Sequence, residues 1–273
     1  MTTDPVIRID GLTVRYGRKT AVDNVGFTVP RGSVYALLGR NGAGKSSLVR
    51  CLLGQQKPAA GAVEIFGEDV WRRRTALMER VGVVSEEADA PPDMSVAALA
   101  RFCARLYSRW DQGIVDDRLR RFGIAQSARF GDLSKGQKKE VSLALAMATS
   151  PELLILDDPT LGLDVVARKA LFEEVIGELA DRGITVFVTT HDLGGIEALA
   201  DRVGILKNGV LVVDDELEAL KSRFRRIRYP ATLNRAVVSN YDDAAFENAA
   251  GAEVAPMSLE EIFIAVSGEG AEK

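Results

Sequence analysis

The sequence contains very few residues that bind metals or form disulfides: one histidine and two cysteines among 273 residues. The two cysteines, Cys51 and Cys103, lie far apart, form no C-x-x-C pair and have no histidine at the spacing that a zinc site needs. The sequence therefore predicts neither a disulfide framework nor a zinc site. This cysteine usage is typical of a reducing cytosol.

The sequence also lacks a long apolar run and an excess of basic residues. No segment approaches the ~18–20 consecutive apolar residues that a membrane-spanning helix needs. Residues 1–5 show neither the basic flank nor the apolar stretch of a signal peptide. The formal net charge of −4 gives no support to a nucleic-acid partner. We therefore expect a cytoplasmic chain, and any membrane-spanning part must come from another polypeptide.

The remaining composition is that of an ordinary globular protein, with 47% apolar and 27% charged residues. Loose alternation of apolar and polar residues predicts antiparallel strands over residues 6–10, 12–16 and 25–29. The almost wholly apolar run 34–38 is typical of a strand that is covered on both faces. A helix is expected to follow over residues 46–53.

The middle of the sequence predicts two further units. Residues 95–150 carry helical patterns with no strand between them, which predicts an inserted helical subdomain at about residues 88–150. From residue 153 onwards strands and helices alternate, with a helix over 165–180, which predicts a parallel sheet with helical crossovers.

Beyond residue 215 the pattern weakens. We expect one domain over residues 6–215 and a small C-terminal extension over residues 216–273. The extension is predicted to contain a helix, a strand, a second helix and a disordered end, at residues 216–226, 235–240, 259–266 and 268–273.

The strongest motif is a phosphate loop, G-x-x-x-x-G-K-[ST], with every position filled by Gly39, Arg40, Asn41, Gly42, Ala43, Gly44, Lys45 and Ser46. Its glycines let successive N–H groups face phosphates, and the helix that follows, with Ser47 in its first turn, adds its N-terminal dipole. Lys45 is expected to reach the β- and γ-phosphates, and the Ser46 hydroxyl to bind Mg²⁺. A glycine-rich turn that merely joins a strand to a helix is the alternative. The flanking strand and helix favour nucleotide binding.

Two carboxylates end the apolar strand predicted over residues 153–156. Asp157 is expected to hold Mg²⁺, directly or through water, opposite Ser46. A turn before Pro159 explains an isolated Asp-Asp-Pro equally well, but the phosphate loop favours the metal role.

His191 follows another apolar run, at residues 184–188, and so lies where open α/β sheets place their ligands. A lone histidine is more often a surface or hydrogen-bonded residue without a catalytic role. Here His191 follows a phosphate loop and a metal-binding carboxylate along the sequence. A γ-phosphate sensor in this third position would complete a nucleotide-hydrolysing site. The pattern predicts an α/β fold, a P-loop NTPase core of mostly parallel sheet with an antiparallel β subdomain.

The segment Leu-Ser-Lys-Gly-Gln precedes a long helix predicted over residues 138–149. Ser134, with Gln137 three residues later, forms a capping box, which explains the segment locally. A capped helix N-terminus behind a glycine is also an anion site, so the structural and functional interpretations are compatible.

The motifs together resemble the ATP-binding-cassette (ABC) family. The phosphate loop, the Leu-Ser-Lys-Gly-Gln segment, the Leu-Leu-Ile-Leu-Asp-Asp-Pro strand, the Leu163-Asp164 pair and Thr190-His191 follow the family's order. The resemblance covers about residues 6–215, and five linked motifs make it highly specific. It implies ATP and Mg²⁺ as ligands and nucleotide held between two head-to-tail subunits, so that hydrolysis requires dimerisation.

The resemblance also implies roles for single residues. Tyr16 matches the aromatic residue that stacks on adenine, and Asp164 matches the residue that communicates across the dimer. His191 matches the switch that contacts the γ-phosphate and positions the attacking water. The signature that touches the γ-phosphate bound to a facing subunit is matched by Ser134, Gly136 and Gln137.

Three positions depart from the family pattern. Lys135 stands where the signature usually has glycine. Glu86, followed by Glu87, stands where the loop usually carries glutamine, and its carboxylate still suits the metal or its water. Asp158 stands where the family has its general base, a glutamate. Its side chain is shorter by one methylene, roughly 1.5 Å of reach. Misplacement by ~1 Å costs on the order of 10²-fold in rate, so we predict slow but measurable ATPase activity.

The leading interpretation is an ATP-hydrolysing subunit that powers a separate membrane-spanning transporter subunit. The signature and residues 107–111 look most like bacterial export-type cassettes. The expected partners are that membrane subunit and a second nucleotide-binding subunit, identical or different, at the cytoplasmic face of the cell membrane. The alternatives are a soluble ABC ATPase that acts on DNA or ribosomes and a degenerate regulatory cassette. Only 112 positions without a heptad run separate Lys45 from Asp157, which counts against the DNA-acting class.

Overall fold

The structure, a computed structural model, describes residues 4–87, 89–163, 168, 171–173, 183–191, 193–228, 235–238 and 253–268. The strands are β1 (Ile7–Tyr16), β2 (Lys19–Val29), β3 (Val34–Leu38), β4 (Ala60–Ile65), β5 (Glu68–Asp69), β6 (Val81–Val84), β7 (Leu153–Asp157), β8 (Thr185–Thr190), β9 (Arg202–Lys207), β10 (Val210–Glu216), β11 (Arg225–Arg228), β12 (Arg235–Val238) and β13 (Glu253–Pro256). The helices are α1 (Lys45–Leu52), α2 (Val70–Met78), α3 (Val96–Ala104), α4 (Gln112–Arg121), α5 (Lys135–Ala148), α6 (Leu217–Arg223) and α7 (Leu259–Ser267).

The central sheet has the strand order β10-β9-β3-β8-β7-β6, and all neighbours except β10 and β9 run parallel. Asp157 of β7 lies opposite Thr189 of β8, and the next residue of β8 lies opposite the last residue of β3. The three strands therefore end at one edge, and the segments that follow them meet there. The predicted mostly parallel sheet is confirmed.

Strand β3 is buried along its whole length because both faces of the central sheet are covered. Val34, Ala36 and Leu38 pack into an apolar core shared with α5 and the C-terminal helices. Tyr35 and Leu37 point into a second core, shared with α1 and the antiparallel sheet. This two-sided burial is the physical reason for the uninterrupted apolar run.

The second sheet is antiparallel, with the order β2-β1-β4-β5, as predicted. The strands predicted at residues 6–10 and 12–16 are one strand, because register shifts in its pairing with β2 carry it through Gly11 (φ 57°). The strand predicted at 25–29 already begins at Lys19.

Helix α2 has no counterpart in the sequence prediction. The carboxylate of Asp69 accepts the N–H of Arg72 at 2.8 Å and caps the helix. The helix is kinked at Arg73 (φ −114°, ψ 18°) and buries only Val70 and Leu77. This short apolar face, interrupted by arginines, gives too weak a period to detect.

Helices α3, α4 and α5 form the inserted helical subdomain, which has its own apolar core, so that prediction is confirmed. The Ser95 hydroxyl accepts the N–H of Ala98 at 3.2 Å and starts α3. The buried core residues of the subdomain are Val96, Leu99, Ala100, Val115, Leu119, Ile124, Phe130, Val141 and Ala148.

The C-terminal elements pack against the core of the central sheet, through Leu217, Leu220, Phe224, Met257, Leu259, Ile262 and Phe263. The helix predicted over residues 216–226 is wrong at its end, because α6 stops at Arg223 and β11 follows. Strand β11 takes this backbone because β12 and β13 pair with it on both sides.

Three predicted elements fall partly on residues that are not described. Of the strand predicted over residues 235–240, residues 235–238 form β12 and residues 239–240 lie outside the described residues. Within the helix predicted over residues 165–180, residues 168 and 171–173 are helical, and the rest lies outside the described residues. Of the end predicted as disordered, residues 269–273 also lie outside them. Among the residues that the structure describes, no helix combines the length and the apolar character needed to cross a membrane.

A cluster of arginines surrounds Glu152 at the edge of the sheet opposite the phosphate loop. Arg80 donates two hydrogen bonds of 2.8 Å to the carboxylate, Arg109 donates one of 3.2 Å, and Arg31 lies 3.8 Å away. The Arg80 guanidinium also stacks on Phe66, 3.8 Å from the ring centre. The hydrogen bonds from Arg80 lower the pKa of Glu152 to about 2, from a usual value of 4.5. The cluster joins β6, β7 and the helical subdomain.

Replacing Glu152 by glutamine should lower the free energy of unfolding by about 1–2 kcal/mol near neutral pH, after allowance for solvent screening. The folded-state pKa lies below the usual value, so the stabilisation is present above about pH 4.5 and is lost as the pH falls towards about 2. Urea unfolding of both proteins should thus show a difference that shrinks between about pH 5 and pH 3. Asp117→Asn, which breaks the exposed pair with Arg120, is the matched control and should change stability little. A difference that grows on acidification would contradict this account.

Candidate active site

A cleft of about 300 Å³ opens at the edge where β3, β7 and β8 end. Residues of the phosphate loop form one wall, and residues of β1 and β2 form the other. The lining residues are Tyr16, Lys19, Ala21, Arg40, Asn41, Gly42, Gly44, Lys45, Ser46, Ser47, Glu86 and Asp158. Most of the residues expected at a nucleotide site thus meet in one place.

The glycines of the phosphate loop are required by its backbone. Gly44 has a φ of 113°, and a β-carbon there would lie 2.4 Å from the carbonyl oxygen of Ala21. A β-carbon at Gly39 would lie 2.8 Å from the carbonyl oxygen of Leu206. Helix α1 begins after Gly44 with no side-chain cap and no acidic residue in its first turn. Its first N–H groups are therefore available to an anion.

Lys45 is only 5% exposed, and its ammonium group points into the cleft floor. It donates a hydrogen bond of 2.8 Å to the carbonyl oxygen of Gly39. The ammonium also lies 3.6 Å from Oδ2 of Asp158. A buried lysine paired in this way is a fixed positive charge beside the loop.

Asp158 lies on a strained turn between Lys45 and His191. Its φ is 41°, which is uncommon for a residue with a side chain, and such strain tends to occur at functional sites. Its N–H donates to the carbonyl oxygen of Thr189 at 2.9 Å, which holds the turn. Its Oδ1 lies 3.0 Å from Nδ1 of His191 and also accepts the backbone N–H of His191 at 3.3 Å. The carboxylate is thus oriented by a cation on one side and an imidazole on the other.

Ser46, Glu86 and Asp157 line a second cleft of about 370 Å³ that shares residues with the first. Oδ1 of Asp157 accepts the hydroxyl of Thr189 at 2.5 Å. Burial raises the pKa of Asp157, and the Thr189 hydrogen bond counteracts that rise.

The donor atoms at this point fit Mg²⁺. Within the described residues there is no cluster of three or more histidine, cysteine, aspartate or glutamate side chains placed to hold a metal. A serine hydroxyl and one or two carboxylates, completed by phosphate oxygens and water, are the oxygen ligands that Mg²⁺ takes at nucleotide sites. Binding of Mg²⁺ at a nucleotide site therefore does not require a full set of protein ligands.

Tyr16 lies at the outer end of the cleft and is partly exposed. Its hydroxyl donates to Oε1 of Gln56 at 2.5 Å, and Oγ of Ser47 lies 3.3 Å from the same hydroxyl oxygen. The ring is therefore held at the cleft mouth by a partner on the loop after α1. This geometry suits a flat aromatic base that stacks on the ring face.

The signature residues lie elsewhere. The capping box is present: the Ser134 hydroxyl accepts the N–H of Gln137 at 3.2 Å, and Oε1 of Gln137 accepts the N–H of Ser134 at 3.1 Å. Ser134, Gly136 and Gln137 do not line the cleft of their own chain. Lys135 is exposed, and its Cδ lies within 3.4 Å of the position of a β-carbon at Gly162. Asp164 lies outside the described residues.

Sequence reasoning missed residues that hold the site together. Gln56 fixes Tyr16, Thr189 fixes Asp157, and Lys139 fixes the loop that carries Glu86. Lys19 and Ala21 of β2 line the cleft as well. Thr189 lies two residues before His191 at a strand end, which is a usable signal. Gln56 and Lys139 act through contacts between distant segments, which no local pattern reveals.

Comparisons with known proteins show what this chain resembles. The model of the ABC transporter family matches residues 22–161. The bacitracin transport ATP-binding protein BcrA of Bacillus licheniformis is 34% identical over 223 residues, which cover 81% of this chain and 73% of BcrA. The daunorubicin resistance ATP-binding protein DrrA3 of Streptomyces coeruleorubidus is 34% identical over 238 residues, with coverage of 85% and 75%.

Solved structures show the same fold. The ATP-binding subunit of an ABC transporter superposes with a TM-score of 0.73 at 27% identity, over 80% of this chain and 92% of that one. A dimeric bacterial ABC transporter cassette, MJ0796, superposes with a TM-score of 0.69 at 21% identity, over 77% of this chain and 98% of that one.

Proposed function

Since the chain belongs to the ABC transporter family and is a transport-coupled ATPase subunit, we propose that it binds Mg²⁺-ATP in the cleft at the phosphate loop and hydrolyses it slowly. The observation that carries the proposal is the pair of contacts made by Asp158 of the cleft, with the Lys45 ammonium at 3.6 Å and with Nδ1 of His191 at 3.0 Å. The triphosphate would lie along the glycine loop and the N-terminus of α1, and adenine on Tyr16. The residues proposed to contact the nucleotide include Gly39, Arg40, Asn41, Gly42, Ala43, Gly44, Lys45, Ser46 and Ser47.

The metal is proposed to be held by Ser46 and Asp157, with Glu86 binding it or its water. When bound, Mg²⁺ neutralises charge on the phosphate oxygens. The residues of this chain supply the proton acceptor, its orientation and further positive charge for the phosphates.

Asp158 accepts a proton from water as the water oxygen bonds the γ-phosphorus and the bond to the β–γ bridging oxygen breaks. His191 orients Asp158 through the 3.0 Å contact. Lys45 leaves its own-chain partners for the phosphates and stabilises their charge. Aspartate in place of glutamate shortens the reach of the base, which is the reason for the proposed slow turnover.

A second subunit, identical or different, is proposed to complete each site. Ser134, Gly136 and Gln137 lie at the N-terminus of α5, a helix end that suits an anion, and do not line their own cleft, so they are available to a nucleotide held by a facing chain. Asp164 is proposed to communicate across that pair. Lys135 would add positive charge near the phosphates.

We propose residues 6–215 as the ATPase domain and residues 216–273 as an extension, whose described elements pack on that domain. Relatives are named for bacitracin transport, daunorubicin resistance and Nod factor export. These names support an exporter. We propose that the chain lies at the cytoplasmic face of the membrane. They favour transport over an ATPase that acts on DNA or ribosomes.

The membrane subunit is proposed to contact the helical subdomain beside the loop that carries Glu86. Phe102 and Leu106 are 54% and 58% exposed there. A cleft of about 210 Å³ next to them is lined by residues of β6, of α5 and of the same loop, together with Cys103 and Tyr107. A partner seated in it would sense any movement of a loop that also borders the nucleotide.

The test is purification of the tagged chain from detergent-solubilised membranes of its own host. We expect a membrane protein with several spanning helices in stoichiometric amount, and ATP turnover by the complex that requires Mg²⁺. Phe102→Ser/Leu106→Ser should lose that partner, whereas Ile264→Ser, which removes an equally exposed apolar side chain on α7, should keep it. Stoichiometric recovery of ribosomes or DNA instead would contradict the proposal.

A further inference from the structure

Lys139 is a buried cation that the proposed reaction does not use. It lies in the second turn of α5 and is 3% exposed. Its ammonium donates to the carbonyl oxygens of Ser85 and Glu86, at 2.6 and 2.5 Å. Lysine is rarely buried to this degree without a specific partner, because desolvating the charge is costly. Its position therefore calls for a physical reason.

The surroundings of Lys139 are strongly acidic. Asp157, Glu86, Asp158 and Glu87 all act on its charge, and each favours the protonated form. Burial opposes them and lowers the pKa of Lys139 below its usual value. Lys139 is thus a second buried lysine at the acidic site, besides Lys45, which lies 3.6 Å from Asp158.

The two hydrogen bonds also make a mechanical link. Ser85 and Glu86 directly follow β6, and Lys139 lies on the helix that begins at the Ser134 turn. The loop that borders the nucleotide cleft is therefore attached to the signature helix by one side chain.

We propose that Lys139 is a positioning residue that holds the Glu86 loop against α5 and supplies the positive charge that allows a carboxylate at position 86 to stand beside Asp157 and Asp158 in the ATP site. The proposal rests on the proposed function. Without this cation, Lys45 would be the one remaining buried lysine of the described residues to offset three carboxylates that face a triphosphate. Holding the Glu86 loop and supplying positive charge are two roles that can be separated. Only the charge role makes ATP binding without metal depend on the carboxylate of Glu86.

The experiment measures the affinity of the full chain for a fluorescent ATP analogue, with excess EDTA and with saturating Mg²⁺. Lys139→Met should weaken binding in EDTA by about 10-fold. Adding Glu86→Gln to that variant should recover most of the loss. In saturating Mg²⁺ the loss should shrink to about threefold or less, because the metal supplies positive charge. Lys138→Met, which changes the neighbouring lysine of the same helix, is the matched control and should bind like wild type.

Thermal unfolding without nucleotide checks that each variant is folded. Lys139→Met leaves two carbonyl oxygens without their donor, and a fall in Tm of about 2–8 °C is expected. If this variant does not fold, Lys139→Gln retains an amide donor and removes the charge. It should show the same loss in EDTA and the same recovery with Glu86→Gln.

The outcomes separate the two proposals. Wild-type protein that binds no ATP would overturn the proposed function and this inference with it. If wild type binds ATP and the Lys139 variants bind it equally well in EDTA, this inference alone fails. It fails also if the loss is the same with and without Mg²⁺ and Glu86→Gln does not relieve it, because Lys139 would then only hold the Glu86 loop.

Discussion

Lys45→Ala is expected to weaken ATP binding by about 10- to 100-fold, because it removes one or two charge-assisted hydrogen bonds to phosphate. Turnover should fall further, by about 10²- to 10³-fold, since the same charge stabilises the transferring phosphoryl group. The structure adds a reason specific to this chain. The ammonium lies at the floor of the cleft beside Gly39 and Asp158, and it exchanges these contacts for phosphate oxygens when nucleotide binds. The measurements are ATP affinity by calorimetry and steady-state phosphate release.

The control for this prediction is Lys138→Ala. It also removes a lysine, but one that lies on α5 and does not line the cleft. Its affinity and turnover should match those of wild type. An unchanged ATP affinity in Lys45→Ala, with the protein folded, would mean that the glycine loop is not where phosphate binds.

Asp158 is expected to limit the rate, and its substitutions should act in opposite directions. Asp158→Asn removes the proton acceptor and should lower turnover by about 10²- to 10⁴-fold while ATP affinity stays within a few-fold of wild type. Asp158→Glu restores the reach of the base and should raise turnover, by up to about 10²-fold if distance alone limits the rate. Single-turnover hydrolysis by the chain with its membrane partner separates this step from product release.

His191→Ala helps to interpret these rates because His191 contacts Asp158 and is itself partly exposed. Loss of the 3.0 Å contact should lower the turnover of wild type and of Asp158→Glu alike. If Asp158→Glu leaves the rate unchanged, the carboxylate is not limiting. Full activity in Asp158→Asn would remove it from the mechanism.

The sequence predicted the elements that leave a signal within a short run of residues. The run 34–38 is apolar because both faces of β3 are covered, and the capping box at Ser134 is a local hydrogen-bond pair. The phosphate loop was recognisable because Gly44 and its neighbours are required by backbone geometry. The order of the motifs then placed Asp157 and His191 at one sheet edge, since parallel strands end together.

What the sequence did not predict depends on contacts between distant segments. Helix α6 ends before β11, which pairs with strands on both sides. That pairing outweighs the helical propensity of Arg225 and Arg226. Thr189 and Lys139 reach Asp157 and the Glu86 loop only after the sheet and α5 are assembled. The strained turn at Asp158 is likewise a property of the folded edge, because the pairing with Thr189 imposes it.

The most direct measurement is calorimetric titration of the purified chain with ATP in the presence and absence of Mg²⁺. We expect one saturable site per chain, tighter binding with Mg²⁺, and a loss of affinity in Lys45→Ala but not in Lys138→Ala. No saturable binding of ATP by the folded wild-type chain, with Mg²⁺ present, would contradict it.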